Sequence, residues 1–203
     1  MGTSRTREQE WTSPVLLSAM DDIRMDDSQL VRLACTGDRG AFSVLLERHY
    51  ARIFRMAVRL LGDVDDAEEL AQDVCVALVA KLPSYRGESR FTTWLYRVVV
   101  NAAHDAVRRN HARCRKQRDY VEVRAIERDG QAVTAEELVW LRWALDQLSD
   151  ELRATVVLVI DEGLPHAEAG EVLGVSESTV SWRMYEVRRR LRALAADDEE
   201  MVP

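Results

Sequence analysis

From Phe91 to Asn110 the chain sorts its residues onto two faces at a spacing of 3.6, the pattern of an amphipathic helix. Leu95, Val98, Val99, Ala102 and Ala106 fall on one face, and Trp94, Arg97, Asn101, Asp105 and Arg108 on the other. The same period recurs through most of the sequence, and almost no stretch alternates with period two. The expected class is therefore all-α: two helical domains joined by a linker, the second containing a helix-turn-helix. With 203 residues, 47% apolar and 31% charged, the chain has material for one or two modest cores and lies outside the disordered class.

In chain order, residues 1–25 read as a flexible extension with a short apolar island, Trp11 to Leu17. A first domain spans 26–110. Its first helix runs from about Asp27 to Thr36, with Asp26 or Asp27 to cap it and Gly37 to end it. The second runs from about Arg39 to Leu61, with Phe42, Leu45, Leu46, His49, Ile53, Met56, Ala57 and Leu60 facing a core and Gly62 as the stop. The third runs from about Asp65 to Leu82, ended by Pro83. Leu70, Val74, Ala77 and Leu78 line its buried side, and Asp66, Glu69, Gln72 and Asp73 its outer side.

Residues 111–133 lose the pattern and read as a linker. The second domain, 134–196, opens on a capping box at Thr134–Glu137 with Val133 and Leu138 as a staple. Leu138, Leu141, Leu145 and Leu148 follow on one face. Ser149 caps a helix to about Asp161, whose apolar residues include Leu152, Val156, Val159 and Ile160. Then come a helix from Pro165 to Leu173, a small residue at Gly170, a turn at Gly174, a capping Ser176 and a last helix. This string is the signature of a helix-turn-helix. On the last helix Val180, Met184, Val187 and Leu191 face inward. Ser178, Thr179, Ser181, Trp182, Arg183, Tyr185 and Arg189 are placed to meet duplex DNA, with Arg188 to Arg192 as further phosphate contacts. Residues 197–203 form an acidic tail, expected to be disordered.

Charge is distributed unevenly. The net charge of −7 is the wrong sign for a simple nucleic-acid binder, yet acids crowd Asp63–Asp73 and bases crowd Arg108–Arg118 and Arg188–Arg192. One acidic and two basic surfaces point to a protein partner plus nucleic acid. Phe91, Trp94 and Tyr96 interleave with arginines, which suits single-stranded nucleic acid through stacking and phosphate attraction; a solvated basic helix face fits the same residues. Cys35, Cys75 and Cys114 have no metal-ligand spacing. Cys35 and Cys75 read as core residues, and Cys114 lies among arginines. No nucleophile–base pair, phosphate-binding loop or metal cluster stands out, so neither an enzyme nor a cofactor is expected. No apolar run is long enough to span a membrane, and no secretory pattern appears, so the expected site is the cytoplasm.

The segment RGESRFTTWLYRVVVNAAHDAVRR at Arg86–Arg109 resembles the promoter-melting and −10-recognition segment of the extracytoplasmic-function group of bacterial sigma factors. DDAEELAQDV at Asp65–Val74 resembles that family's polymerase-binding segment, and the helix-turn-helix half its −35-binding domain, in the family's order from about Asp27 to Leu194. The resemblance implies three sets of residues. Tyr85, Arg86, Trp94, Arg97, Asn101 and Arg108 would engage the −10 element. The Ser178–Arg189 face would engage the −35 element. Asp66, Glu69, Gln72 and Asp73 would dock on core RNA polymerase. It also implies an anti-sigma factor as partner. Ser181, Trp182 and Glu186 depart from the family's usual basic pattern; a glutamate repels phosphate but accepts from cytosine. Two other readings fit parts of the chain: a sigma-like decoy that sequesters an anti-sigma factor, and a plain helix-turn-helix regulator.

Overall fold

The computed structural model describes residues 25–113, 140 and 143–199. The N-terminal island, Cys114, the rest of the linker, the Thr134 capping box and Leu141 lie outside the described residues, which contain helices and no strand. Helix α1 spans Asp27–Cys35, α2 Arg39–Leu61 and α3 Val64–Lys81. A 3-10 turn follows at Leu82–Ser84, and α4 spans Phe91–Arg113. In the second half α5 spans Asp150–Val156 and runs into a π-helical turn at Val157–Asp161. Helix α6 spans His166–Leu173 and α7 Glu177–Glu199.

The helix boundaries follow local chemistry. Asp26 caps α1 in a reciprocal box: its carboxylate accepts from Gln29 N at 2.8 Å, and the Gln29 side chain accepts from Asp26 N at 3.0 Å. Asp38 and Asp63 cap α2 and α3 by accepting from Ala41 N and Asp66 N. Each such cap contributes about 1 kcal/mol. Gly62 closes α2, and Pro83 sits within the 3-10 turn that ends α3. Helix α2 is the spine of the first half. Leu45, Ile53, Met56 and Ala57 are each at most 1% exposed, packed between α1, α3 and α4.

Three sequence expectations fail in detail. Cys35 is exposed, because Leu30 and Val31 carry the burial of α1 and Cys35 points about 140° round the helix from Leu30. Cys75 is half-buried, and burial raises its thiol pKa. Beyond Val156 the helix widens: Glu162 N donates to Val157 O, five residues back, at 3.0 Å. Val157 and Leu158, three and four residues after Ala154, continue its buried face, while Ile160 within the wider turn is 58% exposed. Helix α7 also runs through Asp197 and Asp198 to Glu199, where a disordered tail was expected.

The two halves share one core. Tyr96, Val100 and Ala103 form a second buried face of α4, and they join Ala154, Val157, Leu158, Ala169 and Val172 of the second half. A smaller cluster of Leu148, Leu152 and Val187 holds α5 on α7. Polar contacts frame the seam. Arg153 Nη1 donates to Leu60 O at 3.3 Å, Arg59 pairs with Asp161 at 2.6 Å, and Arg52 lies 3.5 Å from Glu162.

Candidate nucleic-acid interface

The loop before α4 and the first turns of that helix bring three aromatic rings together. Tyr85, Phe91 and Trp94 make a triangle with centroids 5.6 to 5.7 Å apart. The Tyr85 hydroxyl donates to Ser89 O at 2.8 Å, tying the loop onto itself. Phe91 is buried under the triangle at 3% exposure, and its ring meets His49 at 5.2 Å. Tyr85 and Trp94 are half-buried. The expected set of stacking rings is corrected here: Phe91 and Tyr96 are structural, and Tyr85 joins Trp94 at the surface. Tyr96 is 4% exposed, and its hydroxyl donates to Glu162 Oε2 at 2.5 Å. Burial first, then that carboxylate, hold its phenol pKa well above the ordinary value.

Arg97, Asn101 and Arg108 are exposed on the α4 face that carries Trp94, and Arg86 is exposed in the loop before the helix. Two of these side chains have protein partners. Arg97 Nη2 donates to Glu171 O of α6 at 2.7 Å, across the seam, and Arg108 pairs with Asp105 one turn back.

Along α3 the predicted outer face is confirmed as outer. Glu69, Gln72 and Asp73 are exposed and Asp66 is half-buried. Burial first, then Asp63, Glu69 and Asp65, raise the pKa of Asp66. Asp73 lies 3.9 Å from Arg109 of α4. The sequence reading missed Val76 and Val79, which are 75% and 63% exposed and extend the acidic row toward the C-terminal end of α3. The available signal was that this helix carries more valine than its Leu70–Val74–Leu78 stripe requires.

In the second half Gly170 sits where α6 meets α7. Ser176 caps α7, its hydroxyl accepting from Thr179 N at 3.2 Å, and it also contacts Ser178 Oγ at 2.9 Å and Thr179 Oγ1 at 2.8 Å. Ser181 Oγ lies 2.9 Å from His166 Nδ1. Ser178, Ser181, Trp182, Tyr185 and Arg189 are exposed, whereas Thr179 and Arg183 are half-buried. Trp182 and Tyr185, at 61% and 63%, are large aromatics left on the surface of a helix whose opposite side, Val180, Met184 and Val187, is fully packed. Glu186 does not offer a base contact. Its Oε1 accepts from Arg189 Nη2 at 2.7 Å and Arg190 Nε at 2.9 Å, and its Oε2 from Arg189 Nε at 2.9 Å. Those hydrogen bonds lower its pKa and hold the two arginines side by side.

Among the described residues no helix is long and apolar enough to cross a membrane, and no group of three His, Cys, Asp or Glu could hold a metal ion. The chain matches the family models Sigma-70 region 2 over residues 45–113 and Sigma-70, region 4 over residues 144–193. It is 34% identical over 168 residues to the ECF RNA polymerase sigma factor SigM of Mycobacterium tuberculosis, covering 83% of this chain and 84% of that protein. It is 35% identical over 172 residues to the ECF RNA polymerase sigma factor SigE of Mycolicibacterium smegmatis, covering 77% of this chain and spanning 63% of that relative's length. The solved structure of CnrH in complex with the cytosolic domain of CnrY superposes with a TM-score of 0.64 at 26% identity, covering 85% of this chain and 98% of that one. An ordered pair of matched regions and a relative aligned over most of both chains identify the chain as a member of the sigma-70 family, an extracytoplasmic-function sigma factor and so a transcription regulator rather than an enzyme.

Proposed function

We propose that this chain binds core RNA polymerase and positions it on a restricted set of promoters, with labour divided among three surfaces. The acidic row Asp66, Glu69, Gln72 and Asp73 docks on a basic polymerase surface. Tyr85, Arg86, Trp94, Arg97, Asn101 and Arg108 capture the unpaired non-template strand of the −10 element. Ser178, Thr179, Ser181, Trp182, Arg183, Tyr185 and Arg189 grip duplex DNA at the −35 element, with Trp182 and Tyr185 as large surfaces for thymine methyls and sugar edges. Unstacking a base costs a few kcal/mol, and a preformed aromatic wall at Tyr85 and Trp94 offsets that cost at the melted position. Asn101, with a donor and an acceptor on one amide, suits a base edge.

The observation that carries this reading is the exposed basic face of α4 beside half-buried Trp94, in the same chain as an outward-facing helix-turn-helix; a simple regulator needs only the second. The protein acts in the cytoplasm, where polymerase and promoters are. A partner that covers the α3 row would hold it inactive, and the family's anti-sigma factors supply that class of partner. Run-off transcription tests the whole reading: purified protein, sigma-free core polymerase and genomic fragments should yield discrete start sites that are absent without the protein. In the same assay Asn101→Ala should lower open-complex yield and leave polymerase affinity unchanged. If no start sites appear from polymerase shown competent with another sigma factor, the reading falls.

A further inference from the structure

Helix α2 carries an arginine edge that none of the three surfaces uses. Arg48, Arg52, Arg55 and Arg59 recur at steps of four, three and four, so they form one row beside the core stripe. Arg48, Arg52 and Arg55 line a cavity of about 670 Å³ together with His49 and Thr92. The acids at its rim are engaged. Asp26 caps α1, while Asp27 pairs with Arg48 at 2.6 Å and with His49 Nε2 at 2.9 Å. Three arginines against two aspartates leave the lining with a small positive excess, and Arg52 is in turn met by Glu162 at 3.5 Å. Arg55 is exposed and has no carboxylate within ion-pair distance among the described residues.

The cavity borders the aromatic triangle through one buried ring contact, His49 on Phe91. His49, 5% exposed in its side chain, lines it and touches Phe91, which touches both Tyr85 and Trp94. His49 Nδ1 is buried with no hydrogen-bond partner among the described residues. Thr92 stands in the first turn of α4, at the positive end of the helix dipole.

The rest of the row is covered from the second half by carboxylates. Asp161 takes Arg59 at 2.6 Å, and Glu162 lies 3.5 Å from Arg52 while accepting from Tyr96. A guanidinium pairs equally well with carboxylate and phosphate. We infer that the Arg52–Arg55–Arg59 edge is a track for the sugar–phosphate backbone of single-stranded DNA adjoining the Tyr85/Trp94 face, and that Asp161 and Glu162 occupy it as phosphate surrogates while the two halves are closed. The occupant is DNA because the row shares a wall with the aromatic triangle. This inference rests on the proposed role of that triangle.

The test uses holoenzyme reconstituted from the full chain and core polymerase. The probe is a fluorescent, premelted bubble template of a promoter mapped by run-off transcription, and its dissociation constant is measured against KCl concentration. Each phosphate contact on a single strand contributes about 0.7 to the log–log salt slope. Arg52→Ala with Arg55→Ala should therefore reduce the slope by about 1.4, with melting temperature and polymerase affinity near wild type. Asp161→Asn with Glu162→Gln keeps the arginines and should leave the slope unchanged. An unchanged slope in the arginine variant would overturn the inference. So would an equal loss of slope in the carboxylate variant, which would mean that the row matters through domain placement. An acidic peptide partner in place of DNA would appear as the first of these results. Failure of the wild-type holoenzyme to bind any bubble would instead overturn the role of the triangle, and the inference with it.

Discussion

Replacing Gly170 by alanine sets two effects of known size against each other. Gly170 is buried in α6, and a Cβ there would stand 2.8 Å from the Val175 carbonyl oxygen and 3.5 Å from both Glu177 N and Ser176 C. All three are backbone atoms of the turn into α7, and Val175 N donates back to Gly170 O at 3.0 Å, so the turn cannot swing away alone. Alanine gains about 1 kcal/mol in helix propensity. Overpacking against fixed backbone loses about 1–3 kcal/mol. With a contact so far inside van der Waals distance the loss sits at the upper end, leaving a net destabilisation of about 1–2 kcal/mol. At about 2–4 °C per kcal/mol for a body of this size, the melting temperature should fall by roughly 2–8 °C.

Gly174 provides the comparison. It has φ +68° and open space around its Cβ, so alanine there is opposed by backbone conformation alone. Asparagine, which tolerates the left-handed region, should recover most of the loss at 174 and deepen it at 170. Thermal melts at 222 nm and urea titrations of the four variants measure this. A Gly170→Ala protein that melts at or above wild type would refute the close approach of α6 to α7.

Three further outcomes are expected. Trp94→Ala removes a base-stacking surface worth about 1–3 kcal/mol, so single-strand capture by the holoenzyme should weaken roughly 5- to 150-fold with duplex −35 affinity unchanged, measured by anisotropy on bubble and duplex probes. Glu69→Lys with Asp73→Lys should weaken binding to core polymerase on the order of tenfold or more and barely move the melting temperature, because both side chains are exposed; unchanged affinity would remove α3 from the docking surface. His49 has its pKa lowered from 6.5, by burial first and against the pull of Asp27. The unfolded chain therefore takes up its proton first. Stability is full above about pH 6.5 and declines as pH falls toward the lowered folded value. The urea midpoint should drop from pH 7.5 to pH 5.5 in wild type and less in His49→Gln. Glu151 and Glu186, with lowered carboxylate values, contribute losses only as pH falls below about 4.5.

Periodicity, caps and breakers were enough to place most helices of the first half, because those signals act within one or two turns. Asp26, Asp38 and Asp63 cap where short polar side chains precede apolar rows, and α2 begins and ends at the expected residues. The helix-turn-helix was legible for the same reason: Gly170, Gly174 and Ser176 each meet a local backbone demand. The candidate surfaces were legible as residue types, since an acidic row and a tryptophan on a basic helix face are visible before folding.

Tertiary structure decided which of those residues are free to act. Phe91 and Tyr96 share the aromatic run with Trp94, yet packing against His49 and Glu162 withdraws them from solvent. Glu186 was free to meet a base on paper and is closed by two arginines in the fold. The second buried face of α4, Tyr96, Val100 and Ala103, answers to residues more than fifty positions away, among them Ala154, Val157 and Leu158. Sequence determines what each helix offers, because the forces that start and stop a helix are local. The pairing of faces across the seam, and with it the covering of Arg52 and Arg59 by Glu162 and Asp161, depends on the summed burial and charge of distant segments, which exists only once the chain has folded.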